Sequence, residues 1–236
     1  MTKRPEVLHD SREVSYTEER WEILSKLQQR ALEVMQKIVT TGAKPLVHGS
    51  VARGDVSESS DIDIIIPHIV SSYKLELALD TPLHRELVQA TPSMVLKGHI
   101  YLEGEVVVSF PMFKLKSREE EFYQWGGALD SKSLFKKHRT PGVDKRLILI
   151  EPTETGHIES GVIGREYEVA KTLGVSIDIA QERVRVLRRR DSVGRTGVYQ
   201  THELQDTESF EEVAKRLYDR DPALRRTIER REGRRR

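Results

Sequence analysis

The segment Asp61-Ile62-Asp63-Ile64-Ile65-Ile66 sets two carboxylates, two residues apart, inside an apolar run that stops at Pro67. So much isoleucine predicts a strand over 61–67, and apolar character on both sides predicts one buried within a covered sheet. Residues i and i+2 of a strand project to the same side about 6.5 to 7 Å apart, so Asp61 and Asp63 can converge on one point. Two anions held that close repel, and burying them unpaired is costly. A divalent cation resolves both problems, and oxygen-only ligation selects Mg²⁺ or Mn²⁺ over zinc.

The stretch upstream supplies a complementary chemistry. Lys44 to His48 reads as a short strand that runs into His48-Gly49-Ser50-Val51-Ala52-Arg53-Gly54-Asp55, a turn and helix start. Gly49 lets backbone approach a ligand closely, and Ser50 offers a hydroxyl and a backbone N–H to phosphate oxygens. Arg53, one turn on, adds a charge-assisted contact. Metal ligands beside an anion cradle are the parts that nucleotidyl transfer needs, with two ions about 3.5 to 4 Å apart.

These residues, Gly49-Ser50 and, after ten intervening residues, Asp61-x-Asp63, resemble the signature of the polymerase-β-type nucleotidyltransferase superfamily. The Ser-x-x-Arg-Gly-Asp spelling is similar to that of its small prokaryotic members. Gly98-His99-Ile100-Tyr101 through Pro111-Met112-Phe113-Lys114-Leu115 resembles the hairpin of archaeal CCA-adding enzymes. The resemblance covers roughly residues 20 to 125. It implies an α/β (α+β) fold in which a mixed sheet with flanking helices carries the acidic strand. It also implies transfer of a nucleoside monophosphate from an NTP to a hydroxyl or similar acceptor. Asp61 and Asp63 would bind the metal, Mg²⁺ or Mn²⁺, and Gly49 and Ser50 would hold the phosphates.

One position departs from the pattern. The superfamily takes a third carboxylate from the next hairpin strand, three residues before the position of Pro111, and this chain has Val108 there. Glu105 is the nearest acid on that strand, but its side-chain parity is opposite to that of Val108. It becomes the third catalytic carboxylate only through a bulge or a shifted register, and is otherwise a surface glutamate. His48 likewise has two readings, a general base or a hydrogen-bonded structural imidazole.

The remaining pattern is mostly helical. Trp21, Leu24, Leu27, Ala31, Val34 and Ile38 recur at helical spacing behind Thr17-Glu18-Glu19, which predicts an amphipathic helix ending near Gly42. A helix is expected over Tyr73 to Ala90, a hairpin over 93–113 turning at Glu103-Gly104, and a helix over Lys116 to Trp125. Residues 126–161 read as loops around one strand, Arg146 to Glu151. The expected boundary divides a nucleotidyltransferase domain, residues 1–145, from a mainly helical C-terminal domain, residues 146–236.

In that second part, Glu168 to Leu173, Gly174 and Ser176 resemble the opening of a helix-turn-helix unit, with Gly194 to Gly197 as a wing. Arg183, Arg185, Arg188, Arg189 and Arg190 mostly lie off the apolar stripe of its second helix, where they could reach a nucleic-acid backbone. An ordinary helical hairpin with solvated arginines is the other reading. Capped starts at Ser209 and Asp221 predict two more helices.

Charge agrees with this division of labour. Net charge is +1 overall, yet the segment from Gln181 onward holds 16 Lys or Arg against 11 Asp or Glu. Zero cysteines exclude a disulfide scaffold, a zinc ribbon and a thiol nucleophile, and fit a reducing compartment. No apolar run approaches the roughly 20 residues that cross a bilayer. With no leader pattern in the charged first thirty residues, the expected location is the cytoplasm, with no membrane partner. Two functions stay open: an enzyme acting on an NTP, or a nucleotide-sensing DNA-binding regulator on a catalytically impaired fold.

Overall fold

The computed structural model describes residues 4–194 and 197–233. In chain order they form β1 (Arg12–Ser15), α1 (Glu18–Val39), β2 (Leu46–His48), α2 (Ser50–Arg53), β3 (Ile62–Ile65), α3 (Ser72–Ala78) and β4 (His84–Gln89). Next come β5 (Lys97–Leu102), β6 (Val106–Pro111), α4 (Ser117–Gly126), β7 (Ala128–Asp130), α5 (Ser131–Phe135) and β8 (Gly142–Val143). Then follow β9 (Ile148–Pro152), β10 (Gly156–Gly161), α6 (Glu166–Leu173), α7 (Ile177–Val193), β11 (Gln200–Glu203), α8 (Phe210–Arg220) and α9 (Pro222–Arg231). The fold is mixed α/β with a largely helical C-terminal region. No helix among the described residues is long and apolar enough to cross a membrane.

Two compact units interleave along the sequence: unit 1 draws on residues 4–32, 47–60 and 117–194, and unit 2 on 33–46, 61–116 and 197–233. Unit 1 contains a four-stranded antiparallel sheet in the order β1-β10-β9-β8. The loop reading of 126–161 is corrected here, since β8 and β10 flank the one expected strand, β9. Buried Glu159 on β10 takes ion pairs from Arg12 and Arg146, and Arg146 also pairs with Asp144. The Tyr16 hydroxyl lies 2.6 Å from Nδ1 of His157.

A second core of unit 1 joins Trp125 of α4 to Val143, Leu147, Leu149 and Val162, and to Val169, Leu173, Ile179 and Val184 of the α6–α7 hairpin. Gly174 closes α6 in the left-handed region at φ 64°, and the Ser176 hydroxyl caps α7 by accepting from the Ile179 N–H. Glu121 of α4 holds this turn by accepting from the Ser176 N–H at 3.2 Å and its hydroxyl at 2.6 Å. Arg195 and Thr196 of the expected wing lie outside the described residues.

Unit 2 is built on β11-β4-β5-β6-β3, a mixed sheet in which β3 and β6 run parallel and the other pairs antiparallel. One side is core: Ile62, Ile64, Val106, Val108, Phe110, Ile100, Leu102 and Leu87 are all buried. Phe110 meets Phe210 of α8 edge-on, with ring centroids 5.0 Å apart. A Cβ at Gly98 would come within 2.5 Å of the Phe110 ring, which is why β5 has glycine there.

The helix expected over Tyr73 to Ala90 is a correction. Only Ser72–Ala78 is helical, and His84–Gln89 is strand β4, paired on both edges. Arg85, Glu86 and Leu87 form helices well by themselves, but in-register pairing with β5 and β11 and the burial of Leu87 and Gln89 override that preference.

Candidate active site

In unit 1 the turn after β2 is held from several sides. Gly49 sits at φ 78°, a conformation that favours glycine, and its N–H donates to the Gly127 carbonyl at 2.9 Å. The carbonyls of Val51 and Ala52 accept from the Gln28 side chain and the Thr140 N–H, so the single turn of α2 is fixed with Ser50 as its first residue. His48 Nδ1 lies 3.0 Å from the Gly127 carbonyl, and its ring stands edge-on to Tyr123 at 5.4 Å. Gly126 lies against the imidazole so closely that any Cβ would collide with it. Of its two readings, His48 takes the structural one.

Arg53 corrects a second expectation. Its side chain is buried, and the guanidinium donates to both oxygens of Asp55 at 3.0 Å each and to the Gly126 carbonyl. A fork committed to a buried carboxylate braces the turn, so Arg53 is not a phosphate ligand in this arrangement.

In unit 2, Asp61 immediately precedes β3 and is exposed, whereas Asp63 lies within the strand and is half-buried. Strand alternation puts both on the side opposite Ile62 and Ile64, away from the core. Register sets the two valines of β6 apart. Asp63 pairs with Val107, while Val108 pairs with Ile64 and faces the core with no exposure. Glu105 is an exposed turn residue at φ 57°, and its carbonyl accepts from the Ile62 N–H at 2.9 Å. Among the described residues no three His, Asp or Glu side chains gather as a metal cage, so Glu105 does not complete one with Asp61 and Asp63.

Residues 15–121 match the family model described as a nucleotidyltransferase domain. This segment is a polymerase-β-type nucleotidyltransferase domain. Comparison with curated proteins and with solved structures returns no match.

The polar side of the unit 2 sheet extends well beyond Asp63. One in-register row runs Asp63, Val107, Tyr101, His84 across β3, β6, β5 and β4, and the next runs Ile65, Ser109, His99, Glu86, Glu203 out to β11. The Tyr101 hydroxyl donates to Glu86, which also accepts from Thr201 at 3.1 Å. Burial, that hydrogen bond and the charges of Glu86 and Asp63 push the Tyr101 phenol well above its ordinary range. His99 is pushed down to about 4 by burial and by the charge of Lys97, against the opposing pull of Glu86. Sequence reasoning had no means to find this polar side, because it emerges only when four pairing registers are combined.

Beyond the nucleotidyltransferase domain, Arg185, Arg188, Arg189 and Arg190 are exposed on α7. Arg183 is a further correction: its guanidinium lies over the Phe122 ring at 4.9 Å, and burial lowers its pKa to about 10, with Arg190's charge adding to the effect. It braces α7 on α4 and is not presented to a polymer.

Proposed function

We propose that this chain is a metal-dependent nucleotidyltransferase that moves a nucleoside monophosphate from an NTP to a hydroxyl-bearing acceptor. The observation that carries the reading is Asp61 and Asp63 on the non-core side of a strand whose other side is fully buried, within the segment matched as a nucleotidyltransferase domain. Two carboxylates without a third fit Mg²⁺ or Mn²⁺, which are commonly held by one or two protein carboxylates together with substrate phosphates. Such an ion, when bound, offsets triphosphate charge and lowers the pKa of the attacking hydroxyl. Gly49 and Ser50 are assigned the β- and γ-phosphates, with the Ser50 hydroxyl and N–H as donors. In the reaction the acceptor oxygen bonds to the α-phosphorus, the α–β phosphoanhydride bond breaks, and pyrophosphate leaves.

Incubation with α-³²P-labelled NTPs and Mg²⁺ or Mn²⁺ tests this reading. Label is expected to enter protein, RNA or a small acceptor, and to be lost in Asp61→Ala and Asp63→Ala. Equal labelling by the variants overturns it.

The exposed arginines of α7 support a nucleic-acid partner, bound mainly through its phosphates. Val107 opposite Asp63 favours a second reading, in which the domain binds an NTP without turning it over and thereby regulates α7's hold on DNA. That reading predicts nucleotide binding with no pyrophosphate release, and DNA affinity that falls steeply with salt.

A further inference from the structure

Ser109 on β6 and His99 on β5 are cross-strand partners on the polar side of the unit 2 sheet, with Oγ and Nδ1 2.8 Å apart. Ser109 also pairs with Ile65, two residues beyond Asp63 on β3. Paired residues project to the same side, so hydroxyl and imidazole share the side of Asp63. A serine–histidine contact inside a sheet is most simply a packing hydrogen bond, and three observations give this one more to do.

Position is the first. One strand spacing across and two residues along place the Ser109 Cβ about 8 Å from that of Asp63, a gap that one phosphate group and its acceptor can fill. Chemistry is the second: with Val107 and Val108 apolar and Glu105 exposed in a turn, β6 offers the acceptor hydroxyl no carboxylate to receive its proton. Charge is the third. Burial and Lys97 keep the His99 ring neutral near pH 7, with a lone pair available to the Ser109 hydroxyl when the ring proton is on Nε2.

Resting on the nucleotidyltransferase reading, we propose that the Ser109–His99 pair receives the acceptor's proton. As the acceptor oxygen bonds to the α-phosphorus, its proton passes to Ser109 Oγ, and the serine's own proton passes to Nδ1 of His99. The electron pair of the breaking α–β bond leaves on pyrophosphate, and the imidazolium then returns its proton to water. General-base assistance is worth about 10²- to 10⁴-fold, and a base as weak as this belongs at the lower end.

The test uses the full chain with Mn²⁺, ATP and water or glycerol as acceptor, following pyrophosphate release. His99→Ala is expected to slow release about 100-fold while Mn²⁺–ATP binding stays within about twofold. Added imidazole should restore the rate, more strongly for more basic imidazoles, a response that a purely structural histidine would not give. His99→Asn keeps a hydrogen-bonding side chain and should be as slow as His99→Ala, which covers the case in which the alanine variant fails to fold. A normal rate in His99→Asn, or loss in His99→Ala without imidazole rescue, overturns the proposal. If Asp63→Asn abolishes release while both His99 variants keep it, the proposal alone fails. No release from the unmodified chain, or full release from Asp63→Asn, overturns the nucleotidyltransferase reading as well.

Discussion

Asp63 faces Val107 across the parallel pairing of β3 with β6, while Val108, one residue on, turns into the core beside Ile64. Neighbouring valines of the same size therefore respond in opposite ways to the same change. Val107→Asp adds a carboxylate next to Asp63 and should tighten Mn²⁺ binding on the order of tenfold, with a small change in Tm. Val108→Asp buries an unpaired acid and should cost about 3 to 5 kcal/mol. Calorimetric Mn²⁺ titration and thermal melts check both.

The Arg53–Asp55 pair has 7% and 6% side-chain exposure, so solvent does little to screen it. Asp55→Ala strands a buried guanidinium and is expected to destabilise unit 1 by about 3 to 5 kcal/mol, read as a lowered denaturation midpoint.

Acid should weaken unit 1 in two stages. Burial holds His157 below its ordinary value of 6.5, against upward pulls from Glu159 and Asp55. Burial pushes Glu159 up, but hydrogen bonds from Arg146 and Arg12 prevail and hold it below 4.5. Both groups take up protons more readily when unfolded, so each contributes stability above its ordinary value that is lost as pH falls through the folded one. Tm should begin to decline below about pH 6.5 and fall further below about pH 4.5. His157→Gln should remove the first stage and keep the second in melts from pH 8 to 3.

Gly126→Ala would drive a methyl group into His48, the residue before Gly49. The expected outcome is ATP binding weakened about tenfold and stability lowered by about 1 to 3 kcal/mol, measured by titration and melting.

On α7 the arginines should separate into two kinds. Arg188→Ala is expected to weaken DNA or RNA binding and to reduce the salt slope by about one. Arg183→Ala should leave that slope unchanged and lower Tm, because its guanidinium rests on Phe122. Binding measured between 50 and 200 mM salt distinguishes them.

Much of this was legible where local pattern and final burial agree. The isoleucines of β3, the stripe from Trp21 to Ile38 and the caps at Ser176 and Ser209 each specify their element without distant help. The reading failed where a partner far along the chain decides. Nothing local marks Arg12–Ser15 as a strand, which only its pairing with β10 makes it, and His84–Gln89 looks helical until β5 and β11 flank it. The candidate site was half legible for the same reason. Spacing alone singles out Asp61 and Asp63, but which valine stands beside Asp63 depends on a register that spacing does not give.

The fork between Arg53 and Asp55 bears on how such motifs should be recognised elsewhere. Within Ser-x-x-Arg-Gly-Asp, the last three letters hold a loop in shape and only the serine remains free to meet a ligand. A relative that kept Arg-Gly-Asp but lost the serine would preserve the scaffold without its chemistry, and so a search should score the two halves of the motif separately.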